Sequence, residues 1–477
     1  MFRGFTFLFF LLVLSACNQS ERGAIPIVSV HDDVALLASI QEEQYKGPIP
    51  KVSATHTYSL AELIDIAQQR NPATRQAWLN LRVAGQQANI VHSALLPFIA
   101  ATVVGGAQTY KNTMNLPLDQ HLKVDNTVDG VAGVLTVNWL LFDFGENAAR
   151  RRVANNLSKI SGYTFKRIHQ QLVYDVAHAY YSRVAALRKQ EYAKQGTARA
   201  AQLVESAKRR METGVGHKVE IAQAKQLLAQ TQLTQRIADG EANTAAVSLA
   251  VSLSLPPTTR ISLKPDSNPL PRMGNRKMES LITKSFTSRP DVLAALAQVR
   301  AAQNNVDAVA ASYMPKILLG ANLAEGDAAL NLNGFSSNNI GPTTGSGVII
   351  GATVPLFDGN LRKHRMQSSR DKLAAARSGV SVAKAIASRE IAVAYEALRT
   401  ALAVNQAAEE LVRAATTTAD VAQKSYINGA ATISDSSLAT LGLYAAKETL
   451  IDSRRAAHHA AITLALAVGD SNETRTK

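Results

Sequence analysis

The chain has one cysteine in 477 residues, Cys17, so no intramolecular disulfide can form. Beyond its first residues it has no apolar run long enough for a transmembrane helix, and any span of a membrane must be built from strands. A dense basic tract is also missing. The formal charge of +14 comes from 51 Lys and Arg against 37 Asp and Glu, scattered through long helical segments. That scatter describes solvated faces rather than a nucleic-acid surface. No nucleophile–base arrangement stands out. Gly214–Lys218 lacks the spacing and the Ser/Thr of a phosphate-binding loop and does not follow a strand. His458 and His459 are adjacent, hence on different helix faces without metal-ligand spacing, and read as a satisfied surface pair. The expectation is no enzyme, no metal and no cofactor.

What is present begins with a signal. Arg3 precedes the apolar run Phe5–Leu14, which ends in Leu14-Ser15-Ala16-Cys17. This resembles the lipobox of a bacterial lipoprotein, in which residues 1–16 are removed and the cysteine is acylated. An ordinary export signal containing a cysteine is the plainer alternative. Asn18, rather than Asp, after the cysteine resembles an outer-membrane sorting signal. Residues 17–57 show no clear period and read as a lipid-anchored segment whose path stays open.

The rest of the chain is a duplication. Asn71-Pro72 is echoed by Arg289-Pro290 and Leu96-Pro97 by Met314-Pro315, both at an offset of 218. Phe142-Asp143 and Phe357-Asp358 stand 215 apart, as do Ala179-Tyr180 and Ala394-Tyr395, Gly214 and Gly429, and Ala250 and Ala465. The copies span residues 58–255 and 278–469. Between them, 256–277 is rich in Pro and turn formers and reads as a linker; 470–477 is a tail.

Each copy predicts the same order. One helix (Leu60–Leu96; Met278–Met314) stops before a proline. Two strands of about ten residues follow, joined by polar loops at Lys111–Asp129 and Gly326–Gly345. Then come a helix of about 65 residues (Glu146–Met211; Leu361–Ile427), a glycine turn, and another long helix (Val219–Leu253; Ile433–Val468). Apolar stripes run along the longest helices: Leu172, Val176, Tyr180, Val184 and Leu187, then Val393, Ala397, Ala401, Val404, Ala408 and Leu411. Such stripes pack helices side by side along their length. The helices alone fit a coiled-coil stalk, and a structural periplasmic coiled-coil lipoprotein is one reading.

The strands argue for another. Val131, Leu135, Val137, Trp139 and Leu141 are apolar while the positions between them include Thr136 and Asn138, and Val348, Ile350, Ala352, Val354 and Leu356 form one face of a second strand. Alternation over this length suits a tilted membrane strand. Trp139 fits an interfacial aromatic belt or ordinary packing equally. Open sheet edges are not tolerated in hydrocarbon, so membrane strands must close. Four strands at a spacing of about 4.8 Å and a tilt of about 40° give a circumference of roughly 25 Å, which leaves no lumen. Twelve strands give a diameter of about 24 Å. Strands in the membrane therefore require an oligomer, whose number the arithmetic leaves open. Asp143 and Asp358 are placed to cap the helices that follow, with Gly145 and Gly359 allowing the turn.

This order of elements, the segment Tyr58–Pro72 and the turn Arg209–Ala229 resemble the TolC family of outer-membrane efflux proteins over roughly Tyr58 to Gly469. The lipobox adds a likeness to its lipidated branch. The resemblance implies an α+β membrane protein with an internal duplication: a homotrimer whose 12-stranded β-barrel, four strands per chain, continues as a long α-helical barrel. It implies a passive conduit in the outer-membrane lipid of a Gram-negative bacterium. Its partners would be a periplasmic adaptor (membrane fusion) protein and a proton-driven inner-membrane transporter, forming a tripartite pump for drugs or metal ions. The same architecture serves type I protein secretion. At the periplasmic tip, Glu220, Asp435 and Tyr426 are aperture candidates, and Gly214, Val215, Gly216 and Gly429 adaptor-contact candidates. Glu220 and Asp435 are equally ordinary N-terminal helix acids, and the glycines ordinary turn residues. Leu438 and Ala431 stand where family members carry an aspartate and a basic residue, so the charged latch is only partly present.

Overall fold

The computed structural model of the chain describes residues 53, 55–116, 120–264, 269–273, 277–332 and 335–469, with backbone alone at 108, 110, 112–116, 120–128, 328–332 and 335–343. Cys17, most of the expected anchor segment and the tail lie outside the described residues. A short strand β1 (Thr57–Tyr58) leads into α1 (Leu60–Arg70), α2 (Pro72–Ser93), β2 (Phe98–Leu116), β3 (Gln120–Phe142), α3 (Glu146–Glu212) and α4 (Lys218–Ser252). Strand β4 (Ser262–Leu263) lies in the linker, and α5 (Met278–Ser288), α6 (Pro290–Ala311), β5 (Lys316–Leu332), β6 (Phe335–Thr353), α7 (Leu361–Ile427) and α8 (Ile433–Val468) repeat the order. The linker does not hang free, because β4 pairs in parallel with β1, Thr57 opposite Ser262.

The helix expected over Leu60–Leu96, and its copy over Met278–Met314, is broken in two. Asn71 (ψ 117°) and Arg289 (ψ 125°) are extended, because each precedes a proline whose ring excludes the helical conformation from its neighbour. Asn71 then starts α2, its Oδ1 accepting from the Thr74 amide at 2.9 Å. Arg289 makes no such cap. Its guanidinium is 1% exposed and lies 2.6 Å from Asp291 Oδ2 and 2.8 Å from Glu390 Oε2. It also donates to the Ala467 carbonyl at 2.8 Å. One side chain thus ties α6, α7 and α8 together.

The strands are longer than expected, at 19, 23, 17 and 19 residues. The polar stretches read as loops are mostly ladder: Lys111 pairs with Asp125 and Leu116 with Gln120, and Leu332 pairs with Phe335. Alternation of apolar side chains ends earlier, but main-chain bonding needs no apolar side chain and carries on. The four strands form one antiparallel sheet in the order β2-β3-β5-β6. Pairing of β3 with β5, Trp139 opposite Leu319, joins the two copies. Among the described residues β2 and β6 each have a single partner strand.

At 67 residues each, α3 and α7 are rods of about 100 Å. α3 packs against α4, α7 against α8, and α3 also touches α8. Close approach rests on alanine: Ala177, Ala200, Ala207, Ala224, Ala387 and Ala457 are fully buried. The stripe assigned to α7 needs correction. Ala401 and Ala408 are buried, but Val393, Val404 and Leu411 are 66%, 47% and 50% exposed. The buried line is Ile391, Ala394, Leu398, Ala401, Asn405 and Ala408. α7 carries apolar residues on two flanks, and the described residues cover only one.

Candidate functional site: the joined helical turns

At the sheet end, each strand turns into its long helix through two left-handed residues. Phe144 (φ 53°) and Gly145 (φ 93°) precede α3; Gly359 (φ 65°) and Asn360 (φ 67°) precede α7. Asp143 Oδ1 accepts from the Gly145 amide at 3.0 Å and Oδ2 from the Asn147 amide at 2.7 Å. Asp358 Oδ2 accepts from the Arg362 amide at 3.1 Å and from its Nε at 2.8 Å. Trp139 is 39% exposed, and its indole donates to the Leu95 carbonyl at 2.9 Å.

The opposite end holds two further turns, one per copy. Gly214 (φ 82°) and Gly429 (φ 80°) adopt conformations that disfavour any side chain. Gly216 is needed for space: a Cβ there would sit 2.8 Å from the Met211 amide nitrogen. The amides of Val215 and Gly216 both bond to the Arg210 carbonyl, at 3.0 and 2.9 Å. Val215 is 63% exposed.

A shared core binds the turns to each other. Leu203, Ala207, Ala224 and Leu227 from the first copy pack with Tyr426 and Ile433 from the second. The Tyr426 hydroxyl donates to Glu220 Oε2 at 2.9 Å. Arg210 completes the junction: its Nη1 donates to the Tyr426 carbonyl at 3.1 Å, its guanidinium carbon lies 5.1 Å from the Tyr426 ring centroid, and its Nε is 3.6 Å from Glu220 Oε2. Burial, with the Glu220 carboxylate beside it, pushes the Tyr426 phenol up to about 12. Sequence reasoning brought Glu220 and Tyr426 forward but passed over Arg210 as one scattered cation among many. The available signal was its place in the last turn of α3, where a cation complements unpaired carbonyls.

Glu220 and Asp435 occupy matching places in the repeat and do different things. Glu220 joins the two copies. Asp435 is exposed and closes a capping box, its Oδ2 accepting from the Thr432 amide at 3.0 Å and hydroxyl at 2.7 Å; those bonds hold its carboxyl below the usual range. Leu438, one turn on, is 74% exposed.

The histidine pair is not on the surface. His458 is buried and stacks on Tyr181 with centroids 4.1 Å apart, and His459 stacks on His178 at 3.8 Å. Close packing of α3 on α8 draws both rings between the helices. Among the described residues no group of three or more His, Cys, Asp or Glu is arranged to hold a metal ion, and no helix is long and apolar enough to cross a membrane.

A family model described as outer membrane efflux protein matches residues 63–254 and 281–470, one match for each copy. The chain belongs to the outer membrane efflux protein family. It is 27% identical to Protein CyaE of Bordetella pertussis over 362 residues, 75% of this chain and 73% of that protein. It is 25% identical to the pyoverdine export outer membrane protein OpmQ of Pseudomonas aeruginosa over 248 residues, 52% of each chain. The solved outer membrane protein VceC of Vibrio cholerae shares the fold, with a TM-score of 0.69 and 21% identity, covering 86% of this chain and 96% of that one.

Proposed function

We propose that this efflux-family chain is one subunit of a passive trimeric conduit, with twelve strands closed in the outer membrane and the long helices forming a tunnel into the periplasm. The sheet carries this reading. Its two edge strands lack outer partners among the described residues, and Val103, Val348, Ile349 and Ile350 are more than 60% exposed. Bare apolar faces suit hydrocarbon, but unpaired strand edges are excluded from it, so β6 of one copy pairs with β2 of the next. The uncovered flank of α7 supports the same assembly. Cys17 is the lipid attachment point in this reading. The turns around Gly214, Val215, Gly216 and Gly429 meet a periplasmic adaptor, and an inner-membrane transporter supplies the energy. Glu220, Tyr426 and Asp435 form the aperture, with Arg210 holding it. The cargo is small: one relative carries a name that specifies pyoverdine export. Light scattering of the detergent-extracted protein should give three chains per particle, and planar bilayers should show conductance. A monomer that never conducts overturns the proposal. Deleting the gene should raise drug or metal susceptibility and leave the secreted proteins unchanged; the reverse result marks protein secretion.

A further inference from the structure

Cations are unevenly distributed along the two longest helices. The first twenty-two residues of α3 carry six Lys or Arg against the single acid Glu146, and the first twenty-two of α7 carry six against the single acid Asp371. The remainder of α7 has five of each sign. The excess begins directly below the sheet, where Phe144 is 48%, Leu356 90% and Phe357 85% exposed.

Several of these cations are used within the chain. Arg150 pairs with Glu146 at 2.6 Å, Arg152 lies 3.9 Å from Asp307, and Arg362 holds Asp358 at 2.8 Å. Glu146 is also met by Lys316 at 2.8 Å. Arg151, Lys363 and Arg365 are exposed and have no carboxylate within ion-pair distance among the described residues. Arg151 faces only another base, with His92 Nδ1 3.3 Å from its Nη1.

We infer that Arg151, Lys363 and Arg365 form, with their copies in the assembly, a girdle that binds the anionic phosphate headgroups of phospholipids in the periplasmic leaflet. The inference rests on the strands lying in the membrane as proposed above. At a rise of 1.5 Å per residue, these side chains start about 3–8 Å below the helix origins, within reach of a headgroup layer about 5–7 Å thick. A helix turns about 100° per residue, so Lys363 and Arg365 project about 160° apart, from nearly opposite sides of α7. Long cationic side chains at such a boundary extend toward phosphate, and an anionic leaflet attracts each of them. Among the described residues no carboxylate within ion-pair distance competes for these three.

The test uses the full-length protein, placed in nanodiscs with equal phosphatidylglycerol and phosphatidylcholine. Headgroups retained after detergent washing are then counted. Wild type should retain the anionic lipid about tenfold over the zwitterionic one at low salt, and the excess should collapse at 0.5 M salt, where the Debye length is only several ångströms. R151Q/K363Q/R365Q should retain the two lipids about equally, while R413Q, far along α7, keeps the wild-type ratio. Equal retention by wild type, or an unchanged ratio in the triple variant, overturns the inference. If the triple variant fails to fold, the salt dependence of wild type decides. A protein that conducts yet shows no preference refutes the girdle alone. One that never enters the disc refutes the membrane reading, and the girdle with it.

Discussion

The Tyr426 hydroxyl and the Glu220 carboxylate, 206 residues apart in the chain, share a hydrogen bond of 2.9 Å that fastens the turn of one copy to that of the other. A bond to a charged acceptor in a largely enclosed site contributes about 1.5–3 kcal/mol. Y426F keeps the ring against Arg210 and removes the hydroxyl, with its bond to Glu220 and its contact with the Arg210 side chain. In planar bilayers it should raise mean conductance or open time, and E220Q should do the same more weakly. Unchanged conductance in both would separate the bond from the aperture.

Acid should loosen the α3–α8 contact. Burial, and after it the positive charges of neighbouring His178 and Arg455, bring His459 down to about 4 from its ordinary 6.5. The unfolded chain therefore takes up this proton at higher pH than the folded chain does. The contribution to stability is complete above about 6.5 and is lost as pH falls through about 4. The melting temperature should drop across that window, and H459Q should flatten the decline.

G216A should distort the first turn without unfolding the sheet. The added Cβ meets the Met211 nitrogen at 2.8 Å and the Arg210 carbonyl carbon at 2.9 Å, and both are backbone atoms. Overpacking of this kind costs about 1–3 kcal/mol locally. The expected phenotype is increased susceptibility to exported compounds, with normal protein levels in the outer membrane. Wild-type resistance would remove the turn from the adaptor contact.

R289M should destabilise the junction of α6, α7 and α8. It leaves Asp291 and Glu390 facing each other without their shared cation and unpairs the Ala467 carbonyl. The two carboxylates are 35% and 39% exposed, so water screens part of their repulsion, and the loss should be about 1–3 kcal/mol. Thermal unfolding followed by circular dichroism should show a clear loss, partly restored by D291N/E390Q in the same background.

L323R should block assembly. Leu323 is 54% exposed on β5, opposite Leu135 and four residues further from the helix end than Leu319, the partner of Trp139, and an arginine facing lipid at that depth costs about 2–4 kcal/mol. Gel filtration in detergent should show reduced trimer, whereas the same change at Val421, an exposed α7 residue far from the sheet, should leave the membrane fraction unchanged.

Much of this architecture was readable before any coordinates. The ends of α7 and α8 follow from where the apolar period starts and stops, and the duplication from repeated Pro, Gly and Phe-Asp spacings. Breaks at Asn71 and Arg289 were readable too, since each stands before a proline, yet the apolar period continues across both. Strand length was hidden because the ladder outruns the alternating side chains. At the tip, Glu220 and Tyr426 had a sequence signal and their bond did not, since nothing local relates positions 206 residues apart.

The sequence by itself determined the elements, their order and their doubling, because helix period, strand alternation and turn chemistry act over a few residues. Only the tertiary structure decided that β3 pairs with β5, that Arg289 holds three helices, that His458 and His459 lie between α3 and α8, and that Arg210 and Tyr426 join the copies. Those outcomes depend on which distant surfaces exclude water together, and that is a property of the folded chain rather than of any segment.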